Sequence, residues 1–86
     1  MMVQKINEPV EVLVAYKRGA KAFPKVMEWQ NRIYRFSELG FVHPSAQGRK
    51  MLHIFTLTDG TMTYRLEFDG ESLNWKLAEI SDGLPS

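Results

Sequence analysis

Basic and aromatic side chains alternate along the first half of the sequence, and they are the residues best suited to binding chemistry. Eight Lys or Arg residues but only two acidic residues lie between positions 17 and 50, which gives this half a strong positive excess. Cationic groups neutralise phosphates, and aromatic rings stack on unpaired bases. The pattern predicts a face for single-stranded DNA or RNA. Its candidate contacts are Tyr16, Lys17, Arg18, Lys21, Trp29, Arg32, Arg35, Arg49 and Lys50.

Two other interpretations of these residues stay open. The net charge of the whole chain is only +1, so the same residues also fit an ordinary solvated surface around core aromatics. The chain could instead be a protein-interaction module or a homodimeric adaptor with no nucleic-acid ligand. Strand edges at residues 9–17 or 73–80 would then pair with another chain, with Leu52 and Ile54 in the contact.

The remaining reactive side chains match no catalytic or metal-binding motif. His43 and His53 lack a metal-binding spacing, and a zinc ion needs three or four converging ligands. Glu67 and Glu71 have the chemistry of an acid–base pair, but a β domain of 86 residues leaves little room for a desolvated cleft. We therefore expect a non-enzymatic binding protein without a metal or cofactor.

Residues 51–80 carry the clearest structural pattern, which is a three-stranded antiparallel meander. Asp59-Gly60 separates two runs rich in β-branched and aromatic residues and predicts a type I′ hairpin turn with Thr58 opposite Thr61. A four-residue loop at 69–72 would then set Phe68 opposite Leu73. Side chains alternate between the two faces of a strand. The face predicted to be the core carries Tyr64, Leu66, Trp75 and Leu77.

The first half of the chain also has the pattern of strands. Alternating valines predict a strand over residues 10–17, after a leader at 1–8 that we expect to be frayed. A two-residue turn at Gln30-Asn31 would place Trp29 opposite Arg32.

The following residues complete the predicted fold. A bend or bulge is expected between Ser37 and Gly40, and residues 43–50 are interpreted as a loop. Residues 81–86 are expected to be a frayed end. The fold class is therefore all-β, with five or six antiparallel strands in one small domain covering residues 1–86. The strands would form a strongly bent sheet or a small SH3-like or OB-like barrel, with at most one helical turn.

Composition limits the cellular setting. The absence of cysteine excludes a disulfide framework and fits a reducing compartment. The sequence has no apolar run of the roughly 18 residues that a membrane helix needs. Its first residues lack the features of a secretory signal. We expect a cytoplasmic protein with no membrane association.

Two segments resemble short, uncharacterised bacterial proteins of the all-β class. They are EPVEV at residues 8–12 and WQNRIY at residues 29–34, where relatives have the pattern W-x-G-R-x-Y and Asn31 replaces the usual glycine. The similarity continues through residues 39–43, 48–49, 66–69 and 73–77. It implies a shared fold with no assigned activity. Some distant relatives are thought to be encoded beside mutagenic DNA-repair genes. The resemblance therefore implies, at most weakly, a ligand of the nucleic-acid class.

Overall fold

A computed structural model describes residues 2–16, 18–19 and 22–82, and these form one open, all-antiparallel sheet. The strand order is β3-β2-β1-β7-β6-β5-β4, so the sheet has seven strands, rather than five or six, and does not close into a barrel. No helical turn occurs in the described residues. The strands are β1 (Val3–Ala15), β2 (Phe23–Trp29), β3 (Arg32–Arg35), β4 (Glu38–Gln47), β5 (Lys50–Thr58), β6 (Met62–Asp69) and β7 (Asn74–Asp82).

Strand β1 is longer than its valine pattern indicated, because each of its halves has a different neighbour. Residues 3–10 pair with β7, and residues 11–15 pair with β2. The expected frayed leader is thus wrong for residues 3–8, where the ladder to β7 supplies backbone partners that polar side chains do not reveal. Ser81 and Asp82 likewise belong to β7, whereas Met1 and residues 83–86 lie outside the described residues.

The predicted turn between β2 and β3 is confirmed. Gln30 and Asn31 have φ angles of 52° and 60°, and a type I′ turn requires positive φ at both central positions. Trp29 consequently lies opposite Arg32, as the sequence predicted.

The two loops of the carboxyl-terminal meander differ from the prediction, because the first is two residues longer and the second begins one residue later. Thr58 pairs with Thr63 rather than Thr61, and Phe68 pairs with Trp75 rather than Leu73. Only Gly60 has positive φ in the first loop, so the type I′ assignment there is wrong. Either change shifts the pairing by an even number of residues, which leaves Tyr64, Leu66, Trp75 and Leu77 on their predicted face.

Residues 43–50 form a hairpin and not the expected loop. Strand β4 runs to Gln47, which pairs with Lys50 across the short turn at Gly48-Arg49. Pro44 lies inside β4, and an edge strand tolerates proline because its outer side has no hydrogen-bonded neighbour. The predicted irregularity at Gly40 is confirmed, since the register between β4 and β5 shifts between Leu39 and Phe41.

The core lies on one face of the sheet, which bends strongly over it. Tyr64 on β6 contacts the rings of Tyr34 and Phe36, with centroid distances of 5.8 Å and 5.2 Å, although β3 and β6 are not neighbours in the sheet. Such contacts require the β1–β3 end of the sheet to fold across the meander. The predicted core positions are confirmed, with Tyr64, Leu66 and Leu77 buried and Trp75 packed against them.

Candidate functional site

The predicted nucleic-acid contacts are distributed over several parts of the molecule. Arg18 lies in the β1–β2 turn and Arg49 in the β4–β5 turn, whereas Lys17 and Lys21 lie outside the described residues. Arg32 and Arg35 both belong to β3, but their spacing of three places them on opposite faces of the sheet. The two strand arginines therefore do not share a face.

The two candidate stacking residues have different surroundings. Tyr16 follows the end of β1 and is exposed. Trp29 is half-buried against Tyr34, and its indole Nε1 donates a hydrogen bond to Glu8 Oε1 at 3.2 Å. Glu11 and Glu28 line the same surface depression as Trp29 and Glu8. Three carboxylates beside Trp29 would repel a phosphate backbone, so this ring is poorly placed for stacking on a base.

The charges on the basic candidates divide into paired and unpaired groups. Lys50 Nζ forms an ion pair with Asp69 Oδ2 at 3.4 Å. No carboxylate of the described residues forms an ion pair with the four arginines among the candidates, which are Arg18, Arg32, Arg35 and Arg49. These guanidinium groups therefore keep their capacity to bind an anion.

The histidines do not share a site. His43 is opposite Ile54 and stacks on Phe41, with ring centroids 5.6 Å apart. His53 on β5 is exposed and lies opposite Pro44 on β4. Because Pro44 is adjacent to His43, the two imidazoles lie on opposite faces of the sheet. Within residues 2–16, 18–19 and 22–82, no cluster of three or more His, Asp or Glu side chains could hold a metal ion.

Leu52 and Ile54 lie on the outer face of the sheet, away from the core, and the chain itself covers them. They are only 8% and 4% exposed, which contradicts the expectation that they form an open contact surface. Charged side chains surround them on this face, with Arg65 paired to Glu79 at 3.3 Å and Lys76 paired to Glu67 at 3.7 Å. Long charged side chains bury apolar surface beneath their aliphatic stems. No partner is needed to cover these two residues.

The terminal strands of the sheet are β3 and β4, and the edge predicted at residues 73–80 is wrong because β7 lies between two strands. Strand β7 pairs on both sides, with β1 and β6, whereas residues 3–10 of β1 pair only with β7 and residues 11–15 pair only with β2. Strand β3 has only four residues, whereas β4 has ten and pairs only with β5. Sequence reasoning missed this edge, although Pro44 and the bulge at Gly40 are both features typical of edge strands.

The β4 edge rests on a rigid support. Its neighbour β5 is buried at Leu52 and throughout residues 54–58, on both faces of the sheet. The side chains of β4 itself are half-buried or exposed, and Phe41 is among the exposed aromatic residues. A strand with these properties presents a fixed row of backbone donors and acceptors to the solvent.

No helix in the described part of the chain has the length and apolar character that crossing a membrane would require. Comparisons of the chain with protein-family models, with curated proteins and with solved structures found no match.

Proposed function

We propose that this chain is a non-enzymatic protein-interaction module that binds an extended segment of another polypeptide along β4. The observation that carries the proposal is the ten-residue strand at the end of the sheet, which has a neighbour on one side only. Backbone groups on such an edge pair with an added strand, and the pockets between alternate side chains select its sequence. The buried β5 keeps this template in a fixed conformation.

Pro44 indicates which backbone groups of β4 are available. N–H groups of an antiparallel strand point alternately toward and away from a given neighbour. Proline has no N–H, so it is compatible with the ladder to β5 where the N–H would point outward. By the same alternation, the N–H groups of Val42 and Ala46 point outward, and those of His43 and Ser45 point toward β5. An added strand would therefore bond to Val42 and Ala46.

A proline at position 46 tests this assignment. Ala46→Pro removes an outward N–H, so we expect it to weaken peptide binding at least about tenfold, the effect of losing roughly 1.4 kcal/mol. The melting temperature should change little, because β5 does not use this N–H. Peptides selected on the wild-type chain from a phage-displayed library of random linear sequences serve as probes, and calorimetric titration gives their dissociation constants.

Ser45→Pro is the matched control for that variant. Its N–H points toward β5, so the substitution should lower the melting temperature clearly, as loss of a ladder bond in a strand predicts. The proposal fails if the library yields no peptide that binds the wild-type chain. It also fails if Ala46→Pro binds the selected peptides as tightly as the wild type does.

Polyanion binding is the second candidate function, favoured by the four arginines that lack a described carboxylate partner. We expect a labelled single-stranded oligonucleotide to bind with a dissociation constant below about 100 μM at low salt and more weakly as salt rises. Fluorescence anisotropy measures this affinity. Arg18→Ala and Arg49→Ala should weaken it, whereas Lys76→Ala, at an ion-paired lysine, should not. Absence of binding at that concentration excludes this function.

A further inference from the structure

The outer face of the β1–β3 end carries three apolar side chains, which we call the β2 patch: Leu13, Val26 and Ile33. Leu13 and Ile33 are 65% and 55% exposed, and Val26 is half-buried between them. Leu13 lies opposite Val26, and Ile33 lies opposite Glu28, the next residue of β2 on this face. In contrast to Leu52 and Ile54, the two outer members of the patch are left uncovered by the described chain.

Charged residues of both signs lie around the β2 patch. The acidic residues are close together, and the basic residue lies at the opposite corner. Glu11 and Glu28 are directly opposite each other on β1 and β2, an arrangement that is destabilising for like charges. Arg35 lies at the other corner, opposite Val26 on β3. None of these three side chains forms an ion pair with another described residue. The face therefore offers charges of opposite sign on the two sides of an apolar diagonal from Leu13 to Ile33.

We propose that the β2 patch binds the same patch on a second copy of the chain. Two rows of side chains cross the three strands, Leu13–Val26–Arg35 and Glu11–Glu28–Ile33. A twofold axis along the diagonal from Leu13 to Ile33 stacks Leu13 of one copy on Leu13 of the other, and Ile33 likewise on Ile33. The same axis exchanges the other two corners, which are occupied by Glu11 and Arg35.

This exchange is what identifies the partner as a second copy. Each Arg35 is brought within reach of the other copy's Glu11, which relieves the repulsion between Glu11 and Glu28. A twofold interface requires such self-complementarity, in which residue i contacts j and j contacts i. The patch is small compared with the roughly 800 Å² per partner of a standard interface, so the dimer is weak and reversible.

The dimer goes beyond the proposed peptide binding, because it uses the end of the sheet opposite to β4. Strand β3 and strand β4 are the two ends of the strand order. Self-association at one end leaves both β4 edges of the dimer open. The pair would therefore display two peptide-binding edges, as an adaptor does.

Sedimentation equilibrium of the full chain tests the dimer at concentrations up to about 500 μM, a range that includes the affinities of small interfaces. The wild-type chain should show a concentration-dependent dimer. The double variant Leu13→Ser with Ile33→Ser should remain monomeric across this range. Leu73→Ser is the matched control, because Leu73 is 69% exposed in the β6–β7 loop, outside the patch, and its loss should leave dimerisation unchanged.

Charge reversal distinguishes the proposed geometry from non-specific association of exposed apolar residues. Arg35→Glu should weaken the dimer at least about tenfold, and adding Glu11→Arg should restore it, because the ion pair is then re-formed with its signs exchanged. Circular dichroism confirms that each variant is folded. A wild-type chain that stays monomeric overturns the proposal, as do patch variants that dimerise like the wild type and a charge swap that gives no rescue. None of these outcomes affects peptide binding by β4.

Discussion

Replacing Leu66 with alanine is expected to lower the free energy of unfolding by about 2 to 5 kcal/mol. Leu66 is 0% exposed and lies between Phe55 on β5 and Leu77 on β7. The sheet bends around this position, so the surrounding side chains belong to several strands and cannot all close the cavity that the substitution leaves. Urea unfolding followed by tryptophan fluorescence measures the loss, because Trp75 contacts Phe55 with ring centroids 5.1 Å apart.

The matched control for Leu66→Ala is the same substitution at Leu73. Leu73 is 69% exposed, so its truncation should change the free energy of unfolding by no more than about 0.5 kcal/mol. Equal losses for the two variants would mean that Leu66 does not lie in the core. The bent-sheet architecture would then be wrong.

Replacing Asp59 with alanine is the second large effect, with an expected loss of about 1 to 3 kcal/mol. Asp59 Oδ1 accepts hydrogen bonds from the backbone N–H groups of Thr61 and Met62, at 2.9 Å and 2.8 Å. Its Oδ2 accepts a bond from the buried Tyr64 hydroxyl at 2.8 Å. Alanine leaves all three donors without this partner and removes the side chain that fixes the first loop of the meander.

The stabilisation by Asp59 should depend on pH. Burial acts to raise the pKa of Asp59, but the bonds from Met62, Thr61 and Tyr64 outweigh it and hold the pKa below its ordinary value of 3.8. A carboxylate with a lowered pKa in the folded state contributes stability above the unfolded pKa and loses it as the pH falls through the folded pKa. The stability difference between wild type and Asp59→Ala should therefore be largest near neutral pH and shrink below about pH 4.

Urea titrations from neutral to acidic pH check this dependence, and Asp69→Ala at neutral pH supplies a comparison for the size of the loss. Asp69 Oδ1 accepts bonds from the Glu71 and Ser72 amides in the second loop, but it has no buried tyrosine partner. Its substitution should lower stability less than Asp59→Ala does. A stability difference for Asp59→Ala that stays constant with pH would show that the carboxylate charge contributes nothing.

The sequence predicted which face of the sheet a side chain occupies better than it predicted which residues pair between strands. Side-chain alternation placed Tyr64, Leu66 and Leu77 inward correctly, even though the register of both hairpins was wrong by two residues. The error in the β5–β6 hairpin arose because Asp59-Gly60 was expected to occupy the two central positions of a turn. Asp59 instead binds the loop amides through its side chain, so Gly60 alone takes the positive φ angle.

The position of the proposed binding edge could not be read from local patterns. It depends on the pairing of β1 with β7, two segments far apart in the chain, and residues 3–8 have no clear apolar alternation to announce a strand. The separation of Arg32 and Arg35 was predictable, because a spacing of three in a strand always reverses the face. Residues 43–50 form a hairpin where the sequence predicts a loop, because proline and glycine indicate a loop unless an unpaired edge is already known.

The pairing of β1 with β7 has a consequence for biogenesis. Val3 lies opposite Ser81, so residues 3–10 of β1 cannot complete their backbone pairing until β7, far along the chain, has been synthesised. Until then, the sheet lacks the ladder that joins its two ends, and β1 is exposed to other nascent chains. Closing so distant a contact is entropically slow. Formation of this ladder should therefore be a late step in the folding of the sheet, and it should be sensitive to chaperones that shield unpaired strands.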